Sequence, residues 1–485
     1  MIIHELAIFL DDLKYDDIPK QSIEKAKLCF LDYLSVYFRG LETQNSEIAI
    51  KTVYGLFGGN FNILNTGFIN GIASHSLDLD DGHRVAQLHP GTVVFSTALA
   101  MILDDSISHD LSSKEFLAAV VGGYETAIML GMLVNPNHRN QGFHSTGTVG
   151  SIVAAAVASK LLNLDLSQSE HCLGLATTQA SGLLEADHAG TMGKSLHVGN
   201  AVYNGILSAY LSRNGFTGGE SLIDGKEGFL KAMVSDLNEF NGADDDSFAN
   251  INQFLENNLG KFHIDEVYFK KYPFCRHIHS AIDSSLVLKE DMNESFSKED
   301  SNSLYLNNEH YLDSIESIDV KTYKIASEHD NYNPKTSQDL KQSLPYAVAI
   351  SLVLDDLSLD SIDNLIDNGL FEETTRSDDS VNEDVLKVRE LVKKVTIFND
   401  KDLDLLTPDK RPAHVIINFK DDSIKKLDDM TYYPLGELEN PLTDEDILDK
   451  FRLLNPKFNM NKLQIINHME DYFIIEVFKE LVLMD

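Results

Sequence analysis

Residues 147–162 read GTVGSIVAAAVASKLL. Gly, Ala and Ser mix here with Val, Ile and Leu, and no charge appears before Lys160. Small side chains let backbones approach closely, so the run predicts a helix buried among other helices. The chain to either side carries the same period. In PKQSIEKAKLCFLDYLSVYF, apolar residues recur at Ile23, Ala26, Phe30, Tyr33, Leu34 and Tyr37, with Pro19 at an early helix position. Ser112 and Glu115 have capping-box spacing ahead of FLAAVVGGYETAIMLGML. HVGNAVYNGILSAYLSR predicts another helix, with Asn214-Gly215 as its C-cap.

The pattern changes after about residue 265. Ile318, Val320 and Thr322 alternate with Asp319, Lys321 and Tyr323, which predicts a strand. Val415, Ile417 and Phe419 alternate with Ile416 and Asn418, and a turn at Asp421-Asp422 follows, as in a hairpin. SLPYAVAISLVL between them predicts a helix. The acid-rich stretches 288–312 and 354–388 read as partly mobile surface insertions. Helical signals return after 440, where Thr443 and Asp446 have capping spacing before ILDKF. The expected fold is mainly α with an α+β part. A large helical domain, 1–265, is completed by about 430–485, and a smaller α+β domain occupies 266–429.

Composition narrows the function. Of 485 residues, 43% are hydrophobic and 24% charged, as in an ordinary globular protein. A net charge of −36 repels nucleic acid and anionic lipid, so neither is an expected partner. No stretch of about 18 apolar residues lacks charge, so no membrane span is expected. MIIHELAIFLDDLKYDD shows no basic segment followed by an apolar run, and Cys29, Cys172 and Cys275 form no close pair. Both features fit a cytoplasmic location. In so acidic a chain, the cations that attract an anionic substrate must be gathered locally.

Four segments concentrate ionisable groups among Gly and small residues. They are His75-Ser-Leu-Asp78-Leu-Asp80-Asp81-Gly82-His83-Arg84 running on to His89-Pro90-Gly91, Asn140 to Gly147 around His144, Asp187 to His197 around Lys194, and Lys270 to His279. Histidine titrates near neutrality and serves as general acid or base. Lys or Arg can hold a carboxylate and stabilise the enolate-like charge left when the neighbouring carbon loses a proton. Backbone N–H groups at Gly147 and Gly193, at helix starts, can bind carboxylates as well. The parts therefore suit proton abstraction next to a carboxylate of a small di- or tricarboxylate. His144 or a fourth-segment histidine is the candidate base or acid. Lys194 and Arg276 are candidate carboxylate binders, Asp78 and His89 position groups or relay protons, and His83 and Arg84 are candidate substrate contacts.

Other signatures fail. GTMGKS at 190–195 ends like a phosphate loop, but its required first Gly is His188. His277-Ile-His279 has no accompanying zinc pattern, and the Asp78–Asp81 run has no Glu closing a calcium loop. No metal is expected.

At these segments the chain resembles the MmgE/PrpD family, which includes 2-methylcitrate dehydratase, cis-aconitate decarboxylase and iminodisuccinate epimerase. The resemblance runs through NGIASHSLDLDDGHRVAQLHPGTV, GFHSTGTVGSIVAAA, TTQASGLLEADHAGTMGKSLHVGNAVYNG with GFTGG, YPFCRHIHSAID, and RPAHVIINFKD with YPLGELENPLTDEDILDKF. It implies a helical domain built from both chain ends with an inserted α+β domain, a homodimer, and no cofactor. By resemblance to the decarboxylase-like members, Asp78, His89, His144 and Lys194 belong to the site, with a histidine from the fourth motif (His277 or His279) and Tyr332. Decarboxylase and dehydratase members usually carry Asp-Asp-Thr where this chain has Asp80-Asp81-Gly82, so a hydroxyl contact is lost. Asp80-Asp81-Gly82-His83 resembles the epimerase-type branch more closely. Dehydration, decarboxylation and epimerisation all remain open at this point, with a non-catalytic carboxylate-binding or scaffold relative as the alternative.

Overall fold

The computed structural model describes residues 1–108, 110–234, 247–297, 311–372, 382–421 and 424–482. The chain divides into two compact units. Unit 1 comprises Met1–Ala186, Met192–Phe269 and Thr443–Asp485, and unit 2 comprises Asp187–Thr191 and Lys270–Leu442.

Among its described residues, unit 1 is built of helices. Its principal ones are α1 (Lys20–Gly40), α2 (Ile63–His75), α3 (Pro90–Met101), α4 (Ser113–Val134), α5 (Ser145–Leu161), α6 (Leu166–Thr177) and α7 (Gly193–Arg213). The small-residue run is the central helix α5, of whose residues only Lys160 is not buried. It packs on α7, α4, α6 and α3. Helix α7 also crosses α2, and the crossing is close: a Cβ on Gly71 would lie 2.9 Å from the Gly199 nitrogen. The capping box at Ser112 and Glu115 is formed. Helix α4 is apolar and long enough, at 22 residues, to cross a membrane, but 94% of its apolar window is buried inside the protein, as in a core helix.

Unit 2 carries α8 (His279–Ser297), α9 (Leu344–Val353), α10 (Leu359–Asp367) and α11 (Glu383–Val392) with a four-stranded sheet. Its strands are β1 (Ile315–Thr322), β2 (Val395–Asn399), β3 (Ala413–Phe419) and β4 (Leu427–Thr431), in the order β2-β1-β3-β4. β1 pairs in parallel with β2 (Ile318 opposite Val395) and antiparallel with β3 (Val320 opposite Val415). β3 and β4 pair as the antiparallel hairpin that the sequence predicts, Asp422 of its expected turn lying outside the described residues. Ile318, Val320, Val415 and Ile417 join Ile278, Ile282, Val348 and Ile350 in one apolar core. The chain then returns to unit 1 through α12 (Asp444–Leu454), capped by Thr443 and Asp446.

The two acid-rich stretches differ from expectation. Residues 298–310 and 373–381 lie outside the described residues, but 288–297 complete α8, α10 lies within 354–388, and α11 begins there. Leu288, Met292, Ile362, Leu365, Val385 and Val388 are core residues. Acidic side chains occupy the outer faces of these helices, and sparse apolar positions at helical spacing still suffice to bury the inner ones. Strand β2, five residues with one buried position, gave no alternating signal.

Candidate active site

The site in unit 1 is organised by residues 76–89, which join α2 to α3. Asp78, Asp80, Asp81 and His83 are all buried there. Asp78 has φ +56°, a left-handed conformation that aspartate adopts more readily than most residues. The segment is tied down from several sides. Lys450, on α12, donates to the Leu79 carbonyl (2.6 Å) and to Asp32 (2.6 Å). Asp81 accepts from the Tyr124 hydroxyl (2.5 Å) and the Gly91 amide (2.9 Å). Burial, reinforced by Asp32 and Asp80 and opposed by those two donors, leaves the Asp81 carboxyl pushed up to about 7. His83 accepts from the Ala86 amide at Nδ1 (3.1 Å), so Nε2 carries the proton and donates to Glu266 (3.1 Å).

Gly82 pairs through its backbone with Tyr268. A Cβ at position 82 would lie 2.5 Å from ring carbon Cζ of Tyr268. The phenol thus takes the space that a threonine would need, which gives the glycine its physical reason.

The remaining groups converge on this segment. His75, at the end of α2, donates from Nδ1 to Asp80 Oδ2 (2.7 Å). His89, the N-cap of α3, has its Nδ1 2.7 Å from the Asp81 carbonyl and 3.3 Å from Asp80 Oδ2. His144 is the N-cap of α5, and its Nδ1 faces that of His197 at 3.1 Å. The His75 ring lies 4.9 Å from that of His89 and 5.8 Å from that of His144. Lys194, in the first turn of α7, pairs with Asp78 at 3.1 Å. Asp78, His89, His144 and Lys194 are therefore neighbours, and His75, Asp80 and His197, which the sequence places in the same segments without a role of their own, stand beside them. His197 follows Lys194 by three residues and so shares its helix face, the one signal that could have found it. His83 is committed to Glu266 and Ala86, and Arg84 is half-buried. The Gly147 amide, expected as an anion donor, is bonded to the His144 carbonyl (2.9 Å).

Burial sets the charge of this cluster. Desolvation lowers the His75 and His144 pKa values, and the neighbouring histidines and Lys194 add to the shift. The positive end of α5 also disfavours a cation at His144. Burial opposes ionisation of Asp80, but the His75 and His89 imidazoles outweigh it and hold the carboxyl well below the usual range. Asp80 is thus held ionised, while burial disfavours a charge on His75 and His144.

His75, Asp80 and His89 also offer three metal-type ligand atoms within 4.8 Å of one another. Ligation through His89 Nδ1 does not fit: a carbonyl can only accept, so the 2.7 Å contact to Asp81 places a proton on that nitrogen.

Unit 2 carries the fourth segment. Arg276, expected as a carboxylate anchor, is instead buried and engaged within the unit. It pairs with Glu437 (3.1 Å) and donates to the Leu435 carbonyl (2.8 Å), the Pro434 carbonyl (3.3 Å) and His279 Nδ1 (3.1 Å). His279 donates its Nε2 proton to the Phe274 carbonyl (3.0 Å), so both its ring nitrogens are engaged. His277 is half-buried, with Nδ1 2.7 Å from the Tyr323 hydroxyl and its ring stacked 6.0 Å from that of His329. Tyr332 is 43% exposed and its hydroxyl donates to the Val395 carbonyl (3.2 Å).

Comparison with known proteins matches the MmgE/PrpD N-terminal domain to residues 4–240 and the MmgE/PrpD C-terminal domain to residues 272–470. The chain belongs to the MmgE/PrpD family. Relatives include the cis-aconitate decarboxylase-like protein oryM of Aspergillus oryzae, 26% identical over 474 residues, which cover 93% of this chain and 89% of the relative. The cis-aconitate decarboxylase of Aspergillus terreus is 24% identical over 469 residues, 93% of this chain and 88% of its own. The human cis-aconitate decarboxylase is 29% identical over 240 residues, 47% of this chain and 49% of its own. The MmgE/PrpD C-terminal match continues past Leu442 into α12, so the family's sequence boundary and the compact units do not coincide.

Proposed function

We propose that the protein is a lyase of the decarboxylase type, acting on a small di- or tricarboxylate through a carbanion-like intermediate. The observation that carries this reading is the ion pair of Lys194 and the buried Asp78 beside the imidazoles of His75, His89 and His144. The cis-aconitate decarboxylase relatives support it. Lys194 draws a substrate carboxylate into an otherwise acidic protein and stabilises the charge that develops next to it. The bond to the departing carboxylate breaks, carbon dioxide leaves, and the electron pair stays on the carbon conjugated with a remaining carboxylate. A protonated imidazole, His89 or His144, then delivers the proton that forms the new C–H bond. In unit 2 we assign proton handling to His277, because Tyr323 orients its ring while both nitrogens of His279 are engaged elsewhere. Arg276 is assigned to holding that segment in shape.

A second reading is epimerisation, in which the proton taken from one face returns to the other. Gly82 supports it, because the space of the usual threonine is occupied by the Tyr268 ring.

The test is to incubate the protein in D2O with cis-aconitate, methylcitrate, itaconate and iminodisuccinate, following carbon dioxide release and deuterium incorporation. Release with one deuterium retained in the product is expected. Deuterium uptake without carbon dioxide selects epimerisation. Calorimetric binding without either leaves a non-catalytic carboxylate binder, and the lyase reading fails.

A further inference from the structure

Asp80 is 1% exposed and serves two imidazoles through one oxygen, Oδ2, at 2.7 Å from His75 and 3.3 Å from His89. Both rings approach with Nδ1. His75 donates from there to the carboxylate and His89 to the Asp81 carbonyl, so each ring, when neutral, presents Nε2 as an acceptor. His75 Nε2 and Asp80 Oδ1 are among the buried polar atoms with no hydrogen-bond partner. Buried polar atoms are seldom left unpaired, and an exception calls for a functional explanation. His75 is also the central ring of the three, stacked on His144 at 17° and tilted 64° to His89.

We propose that His75 and Asp80 are positioning residues that fix the proton content of the His75–His89–His144 cluster at one. The proposal rests on the lyase reading for its chemistry but not for its test. One buried carboxylate neutralises one imidazolium. A second imidazolium, 5–6 Å away and without bulk water between, meets repulsion that nothing offsets. The charged and titratable groups around His75 are Asp78, Asp80 and His89 in its own loop, His144 at the start of α5, and Lys194 and His197 on α7. The cations among them add to the repulsion. Three chemically equal side chains are thereby divided into one acid and two bases. The acid gives its proton to the carbon that received the electron pair. The cluster, now neutral, is reloaded from solvent through His89, whose side chain is 14% exposed against 0% for His75.

The experiment is a pH titration of the full chain, without substrate, with histidine carbon-13 labelled at Cε1 and followed by NMR. In the wild type, only one of the three rings is expected to take up a proton between about pH 8 and 5. Two charged rings in that window overturn the proposal even if no variant folds. Asp80→Asn keeps the shape and removes the charge, so the cluster's midpoint falls by at least about one pH unit, a tenfold loss of proton affinity. His75→Gln leaves Asp80 to His89 alone, so the midpoint rises. Opposite signs are the signature, since a purely structural pair would lower melting temperature in both variants without moving the midpoint in opposite directions. Shifts of the same sign, or none, refute the proposal. Lack of turnover on any acid with opposite shifts intact would instead refute the lyase reading alone.

Discussion

Lys450 lies on α12, which returns late in the chain, and its ammonium holds both Asp32 and the Leu79 carbonyl at 2.6 Å. Asp32 is 1% exposed, and its other oxygen, Oδ2, is buried without a partner. Lys450→Met keeps the aliphatic stem and removes the charge. A buried carboxylate is then unpaired, and removal of one partner of a buried pair costs about 3–5 kcal/mol. Unfolding entropy is about 2.1 cal/mol/K per residue, and unit 1 has about 300 residues, so melting should fall by about 5–8 °C. The loss depends on pH. Burial already raises the Asp32 pKa, and loss of Lys450 raises it further. A carboxyl whose folded pKa exceeds its unfolded value contributes stability at low pH that is lost as pH rises through the folded pKa. The gap between variant and wild type should therefore be widest near pH 8 and narrow toward pH 5. Calorimetric melts at both pH values check this, with Asp32→Asn/Lys450→Met as the control that removes both charges and recovers most of the loss. A shift under about 2 °C at pH 8, or a double variant no better than the single one, would show that Asp32 does not depend on Lys450 for its charge. Turnover should fall in Lys450→Met as well, because Leu79 lies between Asp78 and Asp80.

Lys194→Met should lower kcat/KM by about 10²–10³, the usual effect of removing one charge-stabilising donor. Adding Asp78→Asn should restore melting temperature but not activity, as steady-state kinetics beside thermal melts will show. Asp81, pushed up to about 7, keeps its proton in the folded state between about pH 4 and 7 while the unfolded chain has lost it, so wild-type stability falls across that window. Asp81→Asn should flatten that slope by up to about 4 kcal/mol, measured by urea unfolding at pH 4.5 and 7.5. Gly82→Thr drives a Cβ into the Tyr268 ring and should destabilise by about 1–3 kcal/mol. Tyr268→Leu in the same chain should recover part of that loss, and Tyr268→Phe, which keeps the ring carbons, should not.

Much of the architecture can be read from periodicity alone. The α5 run, the capping boxes at Ser112 and Thr443, and the β3–β4 hairpin are local patterns, and the structure contains each of them. The acidic helices α10 and α11 were hidden because charge dominates their composition while burial needs only a few well-placed apolar residues. Strand β2 was hidden because a short strand beside β1 shows no alternation of its own.

For the candidate site, the residue types, the motifs that hold them and the family to which those motifs belong are all legible in the linear chain. It set His144 just ahead of the small-residue helix and Lys194 beside the helix start at Gly193, since those placements follow from neighbouring residues. Folding alone fixes which nitrogens carry protons, brings His75 and Asp80 to His89, turns Arg276 toward Glu437, and sets Tyr268 against Gly82 so that it excludes a side chain there. The physical reason is the range of the forces involved. Helix periods and caps act over a few residues of chain, whereas desolvation, shared counter-charges and steric exclusion depend on groups far apart in sequence that only folding brings within a few ångströms.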